Sequence, residues 1–78
     1  MILGSQIRAA RGLLNWSAGE TAEKVGMTRN TIQRLESYDD IPPSRTQSLL
    51  KLKEIFEEAG IEFIGGRGDG PGVRLWKK

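Results

Sequence analysis

The sequence contains no cysteine and no histidine. Without thiols there is neither a disulfide framework nor thiolate chemistry, and without imidazole the commonest metal ligand and proton shuttle is missing. No metal and no cofactor is therefore expected. Aromatic residues make up only 6% of the chain, and no apolar run approaches the roughly 18 residues that a membrane span needs. Met1 to Leu3 is too short an apolar start for a secretory leader, so the expected compartment is the cytoplasm and no membrane partner is expected. An excess of one charge is lacking too: 12 Lys and Arg stand against 10 Asp and Glu, for a net +2. That balance does not announce a nucleic-acid partner by itself. Residues 1–43 hold five basic and five acidic side chains and residues 44–78 hold seven and five, so a basic surface in the first part requires segregation onto one face. No nucleophile beside a base, acid/base pair or metal cluster stands out, which argues against an enzyme. At 78 residues the chain is one domain with a modest core, which a second copy could supplement.

What is present is concentrated in Ala18 to Glu36, AGETAEKVGMTRNTIQRLE. Ser17 followed by Glu20 is a capping-box pattern for one short helix, and Thr28 is a good N-cap for a second, over about Arg29 to Ser37. Ala22 is small enough for the two helices to cross closely. Gly26 between them can take the positive φ that the turn requires. Ile32 and Leu35 fall on the inner face of the second helix, with Val25 and Met27 closing the pocket.

At about 100° per residue, Arg29, Asn30, Gln33 and Arg34 share the opposite face. It carries two guanidiniums, two carboxamides and no carboxylate. Arg matches the O6/N7 pair of guanine, and Asn or Gln the N6/N7 pair of adenine, each through two parallel hydrogen bonds in the major groove. The plain alternative is a solvated helix face. Inner spacing and outer chemistry agree within one short segment, which favours base reading.

Around this stretch, residues 4–14 read as a first helix, with Leu3, Ile7, Ala10 and Leu14 inward and Asn15 ending it. Trp16 reads as a core plug between the first two helices, because no other aromatic is near in sequence to make a stacking platform. Ile41, Pro42 and Pro43 form a stiff connector. Ser44 with Gln47 is a second capping-box pattern, opening a helix over about Arg45 to Ala59 that Gly60 terminates. Leu49, Leu52, Phe56 and Ala59 form its inner stripe, with Leu50 and Ile55 beside it. Its N-terminus, with Ser44 and Arg45, could anchor a phosphate, and the cap alone explains Ser44 equally well. After Gly60 the period changes to alternation. IEFI and VRLW flank GGRGDGPG and predict a β-hairpin, with either Ile61 and Phe63 or Glu62 and Ile64 facing the core. The glycine loop leads into Pro71 and a strand, not a helix, so it is no nucleotide cradle. It could be a flexible arm touching DNA through Arg67, assisted by Lys77 and Lys78. The Arg67 to Asp69 triplet is a chance match.

Ser17 to Glu36, with its N-cap, Ala, Gly and then TRNTIQRLE, resembles the helix-turn-helix of the Cro/CI-type (XRE-like) regulators. The resemblance extends over Gln6 to Gly60, and the GIEFI to PGVRL ending looks like a short one-domain subgroup that stops at a hairpin. It implies a mainly α fold: a four-helix, lambda-repressor-like DNA-binding domain over residues 1–60, followed by a β-hairpin and basic tail over 61–78 within the same domain. The free edge of that hairpin could pair with its copy as a dimerisation element, the alternative being that it only caps the core. The resemblance implies Arg29, Asn30, Gln33 and Arg34 as base readers, Thr28 and Thr31 as phosphate contacts, and Arg11 with Glu36 as a structural ion pair. The chain also departs from the pattern. Ala18 replaces a Gln that touches phosphate. Thr21 replaces a core Leu, which should weaken the core slightly. Tyr38, Asp39 and Asp40 replace Gly and basic residues, so this loop should not grip DNA. The expected function is a sequence-specific DNA-binding regulator, a repressor acting as a homodimer on a pseudo-palindromic operator in double-stranded DNA. The alternative is a protein-interaction module, an antiactivator, holding a protein partner on the same fold.

Overall fold

The computed structural model describes residues 2–76. Four helices, α1 (Gly4–Leu14), α2 (Ala18–Val25), α3 (Arg29–Glu36) and α4 (Thr46–Glu58), are followed by strands β1 (Ile61–Ile64) and β2 (Gly72–Leu75). The architecture is mainly α with a C-terminal antiparallel hairpin, as the sequence predicts.

The helix ends form for local reasons. Asn15 takes a left-handed φ of 59°, and the N–H groups of Asn15 and Trp16 turn back to the carbonyls of Gly12 and Arg11, closing α1. Ser17 Oγ accepts the Glu20 N–H at 3.0 Å while the Glu20 carboxylate accepts the Ser17 N–H at 3.3 Å, so the capping box at α2 is complete. Gly26, at φ 72°, ends α2. Thr28 Oγ1 accepts the Thr31 N–H at 3.2 Å and starts α3.

Ile7, Ala10, Ala22, Val25, Ile32, Leu35, Leu49, Leu52, Phe56 and Ile61 meet in one buried cluster, with Leu14, Trp16, Met27, Ile55, Phe63 and Val73 packed on its margin. Each large side chain in it contributes about 1.5–3 kcal/mol of transfer free energy. Trp16 stacks on Phe56 at 5.7 Å between ring centroids. It is a half-buried plug with Lys24 Nζ 4.8 Å above its ring.

Four expectations need correction. Ser44 does not cap α4: Arg45 is the N-cap residue, in extended backbone, and no side chain bonds to the open amides. The Ser–x–x–Gln pattern is one residue out of phase with the helix, which begins at Thr46. Ala59 is the C-cap of α4 and not its last helical residue. Leu50 lies on the solvent side at 49% exposure. Thr21 does not weaken the core: it is fully buried and its Oγ1 donates to the Ser17 carbonyl at 2.9 Å, leaving its methyl group to pack.

The hairpin pairs Ile61 with Leu75 and Ile64 with Gly72. Of the two open registers, Ile61 and Phe63 face the core, and Phe63 meets Phe56 edge to face at 6.1 Å. The helices fix this choice: β1 packs on α4 and β2 on α1. Gln6, only 2% exposed, accepts the Leu3 N–H at 2.9 Å and donates to the carbonyls of Ile64 and Gly72, each at 3.1 Å. One carboxamide thus caps α1 and clasps the loop end of the hairpin. Gly4 sits against the end of α3, where a Cβ would lie 2.1 Å from the Tyr38 carbonyl oxygen.

Candidate nucleic-acid interface

Recognition chemistry needs side chains that are exposed, unpaired and held on a rigid support. α3 meets those conditions. Ile32 and Leu35 are fully buried and fix its roll, while Arg29, Asn30, Gln33 and Arg34 are exposed on its outer side. Among the described residues, the side chains of Arg29, Asn30 and Gln33 make no hydrogen bond within the chain, and that of Arg34 reaches the Pro43 carbonyl at 3.4 Å.

The support is tied at the far end of α3. Glu36 is 6% exposed and accepts two bonds from Arg11, Nε to Oε2 at 2.6 Å and Nη2 to Oε1 at 2.8 Å. The third arm of Arg11 donates to the Trp16 carbonyl at 3.0 Å, so one guanidinium joins α1, the start of α2 and the end of α3. Glu36 raises the Arg11 pKa above its ordinary value through this hydrogen bond, against the opposing effect of burial. Arg8 adds a bond to the Glu36 carbonyl at 2.7 Å, placing a cation at the negative end of α3.

At the near end, the hydroxyls of Thr28 and Thr31 are 2.9 Å apart. A cleft of about 360 Å³ opens between the start of α2 and α3, lined by Arg11, Ser17, Ala18, Gly19, Arg29 and Gln33. The small side chains of Ala18 and Gly19 leave it open. Ser44 and Arg45 are exposed before the first turn of α4, at the end of the loop over residues 37–45.

That loop differs from expectation. Asp40 is not an unpaired carboxylate: Arg67 Nε donates to its Oδ1 at 2.7 Å and Arg67 Nη2 to its Oδ2. Nor is Arg67 a flexible arm. It occupies a tight turn in which the Asp69 N–H donates to the Gly66 carbonyl at 3.0 Å and Gly68 takes φ 80°, the positive angle of a type II turn. Lys77 and Lys78, expected to assist it, lie outside the described residues. Sequence reasoning missed Gln6, Arg8 and the Asp40–Arg67 pair, which span 28 to 66 positions or, for the last, 27. No local pattern signals such pairings.

No curated protein matches the chain. A helix-turn-helix family model matches residues 7–50, more than half of it. That match runs from Ile7 within α1 through both crossing helices to Leu50 in α4. With α3 held by Arg11 and Glu36 and its polar side open to solvent, the chain belongs to the Cro/CI-type, XRE-like family of helix-turn-helix DNA-binding transcription regulators.

Proposed function

We propose that this regulator binds a pseudo-palindromic operator as a homodimer and represses transcription, with α3 of each copy in a major groove. The observation that carries the reading is the outer side of α3, where Arg29, Asn30, Gln33 and Arg34 stand exposed without a carboxylate between them. They are assigned to base edges. Thr28, Thr31, Ser44 and Arg45 are assigned to phosphates. Arg11 and Glu36 orient the helix and do not touch DNA. The hairpin is the proposed dimerisation element: the outward N–H and C=O groups of a two-stranded sheet can pair with a second copy. The protein is read as cytoplasmic and without catalytic activity.

The second reading, a protein-binding antiactivator, is favoured by Ala18, which offers no phosphate contact, and by Asp39 and Asp40, which repel phosphates. Pairing of Asp40 with Arg67 halves that repulsion, which favours the DNA reading. Selection of binding sites from random duplexes at about 0.15 M salt tests both, with salt held fixed because phosphate contacts depend on it steeply. A two-fold symmetric motif is the expected result. Recovery at background only would turn the assignment to the protein partner.

A further inference from the structure

Two distant parts of the chain converge on Asp40, beside a bond from its own neighbour. Its carbonyl accepts the Gly4 N–H at the start of α1, at 3.1 Å. One carboxylate oxygen accepts the Ile41 N–H at 2.7 Å. Both oxygens accept from Arg67, in the hairpin loop. Asp40 lies midway along the loop that leads from the proposed base-reading helix to Ser44 and Arg45. At its start the loop is held by Ser37, whose Oγ donates to the Arg34 carbonyl at 2.6 Å, and elsewhere by two longer contacts, Tyr38 N–H to the Leu35 carbonyl and Arg34 to the Pro43 carbonyl, both at 3.4 Å.

The hairpin loop is built to hold Arg67 in place. Gly65 takes φ 68° and packs so closely that a Cβ would lie 2.8 Å from the Asp69 carbonyl oxygen. With the turn over Gly66–Asp69, this makes the glycine-rich segment a fixed bracket and not a tether. The guanidinium fork matches both carboxylate oxygens, a geometry that a lysine could not reproduce.

We propose that Arg67 is a positioning residue for DNA binding: by holding Asp40 it fixes the α3–α4 loop and neutralises one of the loop's two carboxylates, without touching the duplex itself. The hairpin and the recognition helix then move as one unit. This inference rests on the DNA-binding reading above.

The test uses the full chain and the selected duplex, with affinity measured from about 0.05 to 0.2 M salt. Arg67→Gln and Asp40→Asn are each expected to weaken binding a few-fold, as fits an exposed pair. The double variant should be no weaker than either single one. The exchanged pair, Asp40→Arg with Arg67→Asp, should recover most of the loss. Arg67→Gln should leave the slope of log affinity against log salt unchanged. A slope reduced by about 0.9 in Arg67→Gln, with Asp40→Asn binding as tightly as the unaltered chain, overturns the proposal by making Arg67 a phosphate contact. Equal affinity in all four variants overturns it as well. If the unaltered chain binds no duplex, the DNA reading fails and the positioning role with it. Amide exchange at Gly4 and Ile41 distinguishes that failure from absence of the tie, since exchange quickens in Arg67→Gln only where the tie exists.

Discussion

Single side chains divide into those that face a ligand and those that hold them there. Arg29 and Asn30 are proposed for the first group, and on that reading Arg29→Ala or Asn30→Ala should cost about 1–3 kcal/mol of specific binding and relax preference at one operator position. Arg45→Ala should weaken all duplexes alike and lower the salt slope by about 1. Repeated site selection with each variant checks both, and an unchanged motif for Arg29→Ala and Asn30→Ala would remove them from the readers. Asp40 belongs to the second group. Arg67 and, less strongly, the Ile41 N–H hold its carboxyl below the ordinary 3.8. A depressed folded value means that the pairing stabilises the fold above pH 3.8 and that its contribution fades as pH falls through the lower, folded value. In an NMR titration, Asp40 should titrate below 3.8 in the native chain and move back up in Arg67→Gln. An Asp40 that titrates alike in both would contradict the pairing.

Among the elements, helix boundaries follow local chemistry wherever a side chain makes the cap. Ser17 with Glu20, Thr28, Asn15 and Gly26 all act within four residues, and each was readable in sequence. α4 was misplaced because the first residue of its capping pattern does not lie at the helix start. The extended backbone of Arg45 sets the start one residue later. The hairpin was readable as a hairpin, but its facing was not, since IEFI offers apolar residues on both sides. Gln6 and the surfaces of α1 and α4 decide it. Gln6→Leu should therefore destabilise the fold by about 1–3 kcal/mol, because it strands the Leu3 N–H and the Ile64 and Gly72 carbonyls. Denaturant midpoints measure the loss, and exchange should quicken first in the hairpin amides. Gly4→Ala should also destabilise. A methyl there meets backbone oxygens of Leu35 and Tyr38 at 2.3 and 2.1 Å, which only movement of α1 away from α3 can relieve.

For the whole molecule the question is how many copies act together. One core of this size is modest, and the hairpin leaves Trp76 at 57% exposure beside Arg74 and Glu62, to which its ring nitrogen donates at 2.9 Å. Two copies joined through hairpins would present two α3 helices to half-sites about one helical turn, roughly 34 Å, apart. Inserting half a turn of DNA, about 5 base pairs, between the half-sites should reduce binding to that of a single half-site. Unchanged affinity would indicate a monomer reading one half-site.

The sequence by itself determined the two crossing helices, the turn between them, the polar composition of α3 and the presence of a hairpin. Each depends on residues a few positions apart, whose periodicity and capping chemistry act before any tertiary contact forms. Only the tertiary structure decided that Gln6 clasps the hairpin, that Arg8 covers the end of α3, and that Asp40 is neutralised by Arg67. Those contacts join segments 27 to 66 residues apart, and their partners are chosen by how the packed helices bring surfaces together. The acidic loop shows the difference most directly. Read locally, Asp40 is a charge that phosphate would repel, whereas in the folded chain the same carboxylate is the point to which α1 and the hairpin are tied.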